Sequence, residues 1–123
     1  MNDAKAIWER YVLAWNSASL LDKRELYRQC LSPDCVYTDP LKQTKGWSEL
    51  EAYMSEFHQQ LPGARFVTQS FATHHGRSIA SWQMVDASGS VIGTGTSFGE
   101  YDEQLRLRAM TGFFEVPGSQ TAA

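Results

Sequence analysis

Cysteine is scarce in this 123-residue chain, and so are proline, clustered positive charge and long apolar runs. The two cysteines, Cys30 and Cys35, lie on either side of Ser32-Pro33-Asp34, with no His or Cys neighbour at metal-ligand spacing. They read as two reduced, structural thiols rather than a disulfide framework or a zinc site, so no metal is expected. Lys and Arg total 11 against 14 Asp and Glu, and no basic run is longer than Lys23-Arg24. That disfavours a nucleic-acid footprint. The N-terminal residues carry no uninterrupted apolar segment, and nothing later approaches the roughly 20 apolar residues of a membrane span. A soluble, cytoplasmic protein with no membrane partner is the expectation. Gly93, Gly95 and Gly99 precede no helix, which excludes a dinucleotide loop. Internal repeats and low-complexity segments are also missing.

With 42% hydrophobic and 20% charged residues, the composition is that of one folded core. Ile7, Trp8, Tyr11, Val12 and Trp15 recur at helical spacing over residues 4–16, with Asn2 or Asp3 as the cap. Asp22 to Glu25 resembles a capping box for a second, short helix ending near Leu31. Cys35 to Thr38, bounded by Pro33 and Pro40, reads as a strand with Asp39 at its exit. Ser48 to Glu51 forms another capping box, followed by Leu50, Tyr53, Met54, Phe57 and Leu61 on one helical face and by Pro62-Gly63 as a stop. Strands are then expected at 64–74, 78–86, 91–101 and 105–115, joined by turns at His75-Gly76-Arg77, Ala87-Ser88-Gly89 and near Asp102-Glu103. In the last of them Leu105, Leu107, Ala109, Thr111 and Phe113 are expected to face the core. Arg106, Arg108 and Met110 would face outward with Thr94 and Phe98. Helices first and a meander afterwards is the α+β pattern. Three helices from the N-terminal half would pack in the concave face of a strongly bent antiparallel sheet, a cone-shaped, cystatin-like roll with room for an aromatic internal cavity.

The residues Arg10 to Asn16, Pro33 to Pro40, Gly46-Trp47 and Arg108 to Phe114 carry a resemblance. They are similar to the nuclear transport factor 2-like superfamily, within it to the SnoaL-like and ketosteroid isomerase-like branches. The resemblance runs from about residue 7 to residue 115, and residues 1–116 read as a single SnoaL-like domain with a flexible tail at 117–123. It implies that Asp39, in the Asp-Pro pair, is a general base and that Tyr11, in the Arg-Tyr pair, is an oxyanion donor. It implies a homodimer through the sheet face as well. The family's second oxyanion donor is an Asp, whereas the matching position here is Ser97 or Thr96; a hydroxyl is the weaker donor.

From the residues themselves, Asp39 has two readings. A carboxylate at a strand exit facing an aromatic cavity suits proton abstraction next to a carbonyl. An Asp before Pro is equally a turn opener that caps backbone N–H groups. Tyr11 is either a core tyrosine with a satisfied hydroxyl or a partner of Asp39. Trp15, Tyr53, Phe57, Trp82 and Phe113, with Ser97, are the expected substrate contacts, for a flat hydrophobic molecule bearing a carbonyl. His74 and His75, on opposite faces of a strand, would not share a metal, and whichever points inward is a reserve acid or base. His58 is expected to meet its own helix's C-terminal dipole. No cofactor motif is present. The expected activity is cofactor-independent acid–base chemistry of isomerase or cyclase type, the alternative being a non-catalytic ligand-binding or dimerisation domain.

Overall fold

A computed structural model of the chain describes residues 3–115, so the expected tail at 117–123 lies outside the described residues. The first helix, α1 (Ala4–Asn16), starts where Asp3 accepts a hydrogen bond from the Ala6 amide. Its apolar stripe buries Ile7, Trp8, Tyr11 and Trp15, as the spacing requires. The second helix, α2 (Leu20–Cys30), begins earlier than the Asp22 box predicts, because Ser19 provides the cap by accepting from the Asp22 amide. The strand β1 (Leu31–Thr38) is longer than expected and carries Pro33 where its register with its neighbour is irregular, a place where a missing N–H costs no ladder bond. A short strand, β2 (Gln43–Lys45), was not apparent in the pattern at all.

The third helix, α3 (Gly46–Gln60), starts two residues before Ser48. The Glu49 carboxylate, not a Ser48 hydroxyl, closes its N-terminus by accepting from the Lys45 amide at 2.8 Å. Leu50 and Met54 of α3 are fully buried, and each such side chain contributes about 1.5–3 kcal/mol. The Tyr27 hydroxyl donates to the Met54 sulfur, joining α2 to α3.

The remaining strands are β3 (Arg65–His74), β4 (Arg77–Val85), β5 (Val91–Tyr101) and β6 (Leu107–Phe113), the expected meander. His75 and Gly76, with φ of 47° and 73°, make the two-residue hairpin turn between β3 and β4. The six strands form one sheet in the order β2-β1-β6-β5-β4-β3. One pairing, β1 with β6, is parallel, so the sheet is mixed rather than wholly antiparallel. The architecture is otherwise the α+β arrangement expected, with three helices on one face of the sheet.

The facing of β6 is a correction. Tyr101 pairs with Leu107 but Glu100 pairs with Ala109, leaving Arg108 as an extra residue. This β-bulge inverts every later side chain. Leu107 faces the core as expected, but beyond Arg108 it is Met110 and Gly112 that are buried, while Phe113 is 57% exposed.

Candidate functional site

Asp39 leaves β1 at the start of the turn to β2, where its amide bonds the Lys42 carbonyl at 2.9 Å. Its Oδ1 accepts from the Leu41 and Lys42 amides at 2.8 and 3.0 Å, which is the turn-capping role. Its Oδ2 accepts from the Tyr37 hydroxyl at 2.6 Å and from the Tyr53 hydroxyl at 2.8 Å. The turn-capping reading is therefore met, and Oδ2 has two phenol partners besides. Four donors occupy the four acceptor positions of a carboxylate that is only 9% exposed.

Tyr37 belongs to the site although the sequence reading passed over it. Residues two apart on a strand share a face, so Tyr37 is brought beside Asp39 by β1 alone. Tyr53 comes from the middle of α3, and the Lys42 ammonium stands 5.8 Å from its ring centre. Burial pushes the Tyr37 phenol far above its ordinary ionisation range, and the charges of Tyr11 and Asp39 push in the same direction. Tyr53 is raised by burial first and then by its bond to Asp39. Both phenols thus remain protonated donors.

Trp15 is the hub of the surrounding wall. Its ring lies within 6 Å, centre to centre, of Tyr37, Tyr53, Phe57 and Phe66. Burial raises the Tyr11 phenol well above its usual value, while a hydrogen bond from the Trp15 side chain works the other way. Trp82 meets Phe66 edge to face at 5.2 Å and donates its indole N–H to the Ser97 hydroxyl at 3.0 Å. Ser97, not Thr96, is therefore on the Asp39 face: Thr96 pairs with the outward Phe113. Asp39, Tyr11, Trp15, Tyr53, Phe57, Trp82 and Ser97 gather in one region, and Phe113 does not, lying on the other face of the sheet against Phe98.

The rings of Trp15, Tyr37, Tyr53, Phe57 and Phe66 pack against one another. Two surface grooves, of about 510 and 380 Å³, lie elsewhere. The larger is lined by Trp47 and by the Arg24–Glu51 and Arg28–Glu25 ion pairs. Neither His74 nor His75 faces inward: both are exposed, and the turn at His75 brings their Nδ1 atoms to 3.2 Å, where strand geometry predicts separation. His58 bonds the Trp15 carbonyl at 2.8 Å instead of its own helix end. Cys30 and Cys35 are free and buried, with burial pushing their thiols up to about 12 and about 11. Among the described residues no three His, Cys, Asp or Glu side chains gather as a metal ion needs. Nor is any described helix long and apolar enough to cross a membrane.

Comparison with solved structures places the chain beside proteins of one kind. A protein of Agrobacterium tumefaciens, provisionally named an isomerase of the SnoaL-like family, is 26% identical, with a TM-score of 0.86 over 94% of this chain and 100% of that one. A Jannaschia protein, provisionally named a SnoaL-like polyketide cyclase, shares the fold at 12% identity, with a TM-score of 0.76 over 97% of this chain and 90% of that one. A provisionally named hydroxylase of Streptomyces galilaeus does so at 14% identity and a TM-score of 0.66, over 91% and 88% of the two chains. No curated protein matches the chain. The SnoaL-like domain model matches residues 8–116, which takes in all but the first turn of α1, both later helices and the whole sheet. The chain belongs to the SnoaL-like family.

Proposed function

We propose that this protein is a cofactor-independent acid–base enzyme, of isomerase or cyclase type, acting on a small hydrophobic carbonyl compound with Asp39 as general base. The observation that carries the reading is a nearly buried carboxylate with two phenols on one oxygen, both of whose rings pack against Trp15. Because all four acceptor positions are filled, a substrate reaches Oδ2 only by drawing one phenol away. A carbonyl oxygen is the group that does this: it takes the Tyr53 or Tyr37 hydroxyl as its own donor and frees a lone pair on Oδ2. The proton on the neighbouring carbon then passes to Oδ2, and the electron pair moves onto the carbonyl oxygen as an enolate. As the carboxylate loses its charge, one cause of the raised phenol ionisation disappears, so the phenols become better donors when the enolate forms. Return of the proton to a different carbon completes an isomerisation. Attack of the enolate carbon on a second carbonyl begins a cyclisation.

Tyr11 keeps a place in the proposal as oxyanion donor through the resemblance. Tyr37 and Tyr53 have the stronger geometric claim. The test is exchange of the α-protons of 2-tetralone in heavy water, followed by NMR. The wild type should accelerate exchange, and Asp39→Asn should lower it about 100-fold or more while remaining folded. An asparagine oxygen can still accept the Leu41 and Lys42 amides. Unchanged exchange in that variant removes Asp39 from the role.

The close packing of the rings favours a second reading, a domain that only dimerises; a non-catalytic pocket that binds a small apolar molecule is the remaining alternative. Binding that survives Asp39→Asn without any proton exchange is its signature. For either reading we place a second copy of the chain on the outer sheet face, where Ile79, Phe98 and Phe113 are exposed together.

A further inference from the structure

Two imidazoles at the tip of the β3–β4 hairpin take no part in the proposed site. His74 ends β3, opposite Arg77, and His75 begins the two-residue turn. On a regular strand their side chains would point to opposite faces. At a φ of 47° the His75 backbone is left-handed instead, and its ring comes round to meet that of His74. The two Nδ1 atoms stand 3.2 Å apart, with ring centres 5.3 Å apart and ring planes crossed at 77°. Both residues are exposed, and neither ring has another hydrogen-bond partner among the described residues. The turn that holds them is pinned from both sides. The Gly76 carbonyl accepts the Tyr101 amide of β5 at 2.9 Å, and the Thr73 hydroxyl donates to the Arg77 carbonyl at 2.7 Å.

We propose that His74 and His75 chelate a divalent transition-metal ion, zinc or copper, through their two Nδ1 atoms. This site is independent of the proposed function. Neutral imidazole suits such ions, whereas calcium and magnesium call for oxygen ligands. An ion about 2.0–2.1 Å from each nitrogen sees two nitrogens 3.2 Å apart at an angle of about 100°, which lies between the square-planar and tetrahedral angles. In the pair itself one Nδ1–H donates to the other Nδ1. The ion takes the place of that single proton, which passes by exchange with water to Nε2 of the same ring, so both rings stay neutral. Among the described residues no third His, Cys, Asp or Glu joins the pair. Two protein ligands leave the other positions to water, which makes this an exchangeable surface site rather than a closed structural one. Arg77 donates to the His75 carbonyl at 3.4 Å and its charge opposes a cation, so the binding is carried by the two nitrogens and their fixed spacing.

The probe is zinc chloride added to the full chain, without an affinity tag and with isotope-labelled histidines, followed by NMR of the ring nitrogens. One ion per chain should move the Nδ1 resonances of two rings, assigned by their loss in His74→Ala and His75→Asn. The ring of His58, held at the Trp15 carbonyl, should stay in place. Asparagine tolerates left-handed backbone, so His75→Asn keeps the turn while removing a ligand. Each variant alone should bind zinc about tenfold or more weakly than the wild type, because a single imidazole loses the advantage of a chelate. Wild-type affinity in either variant overturns the site. So does a shift at Nε2 rather than Nδ1, a shift of His58 in place of the pair, or the absence of saturable binding.

Discussion

At the scale of single residues, the two phenols on Asp39 are unequal. Tyr37 is buried and donates at 2.6 Å, whereas Tyr53 is half-buried at 2.8 Å with Lys42 over its ring. A hydrogen bond to a charged group contributes about 1.5–3 kcal/mol when shielded from water, and less as water competes. Tyr37→Phe should therefore lose stability in that range by urea unfolding, and Tyr53→Phe should lose clearly less. Equal losses would mean that solvent exposure does not rank the pair. Asp39 was legible in the sequence because an Asp-Pro pair at a strand exit carries both a turn signal and a chemical one. Tyr37 was equally accessible through the two-residue period but stood among β-formers, where an aromatic residue draws no notice.

At the scale of elements, the helices and the meander follow from periodicity and turn residues, and their ends from caps the sequence displays. What the pattern did not show is what depends on a neighbour. β2 has three residues and exists because the Asp39 turn folds them back onto β1. The bulge at Arg108 belongs to the register between β5 and β6, not to either strand's composition. The link between α1 and α3 is of the same kind: His58 holds the Trp15 carbonyl, and through it the wall around Asp39. Burial lowers the affinity of His58 for a proton, and the nearby Lys23 charge adds to the effect. The folded state then prefers neutral imidazole, so its contribution is complete above the usual value of 6.5 and is lost as pH falls through the depressed folded value. Thermal melts of the wild type should decline as pH falls below 6.5, and His58→Gln, which can still donate to the Trp15 carbonyl, should lack that part of the decline.

For the molecule as a whole, the side of the sheet away from the helices is where the proposed second copy would pack. Across its strands the register lines up Ala72, Ile79, Phe98 and Thr111, with Phe113 next to Phe98. A stable dimer needs roughly 800 Å² from each partner, and the exposed Ile79, Phe98 and Phe113 are the apolar residues such an interface would cover. Sedimentation equilibrium should find a dimer for the wild type and a monomer for Phe98→Glu. A wild-type monomer at micromolar concentration removes this surface as an interface.

The parallel pairing of β1 with β6 also sets when the site comes into being. Tyr37 lies opposite Met110 and Thr38 opposite Thr111, partners from opposite ends of the chain. Contacts between such distant positions form late and slowly, because a long loop must close before they give any return. A nascent chain therefore carries Asp39, Tyr37 and Tyr53 well before β6 exists to pair with β1, and the proposed site is complete only when that last strand docks. Any molecule that fits the finished site holds that strand in place, so ligand binding and slow unfolding should rise together.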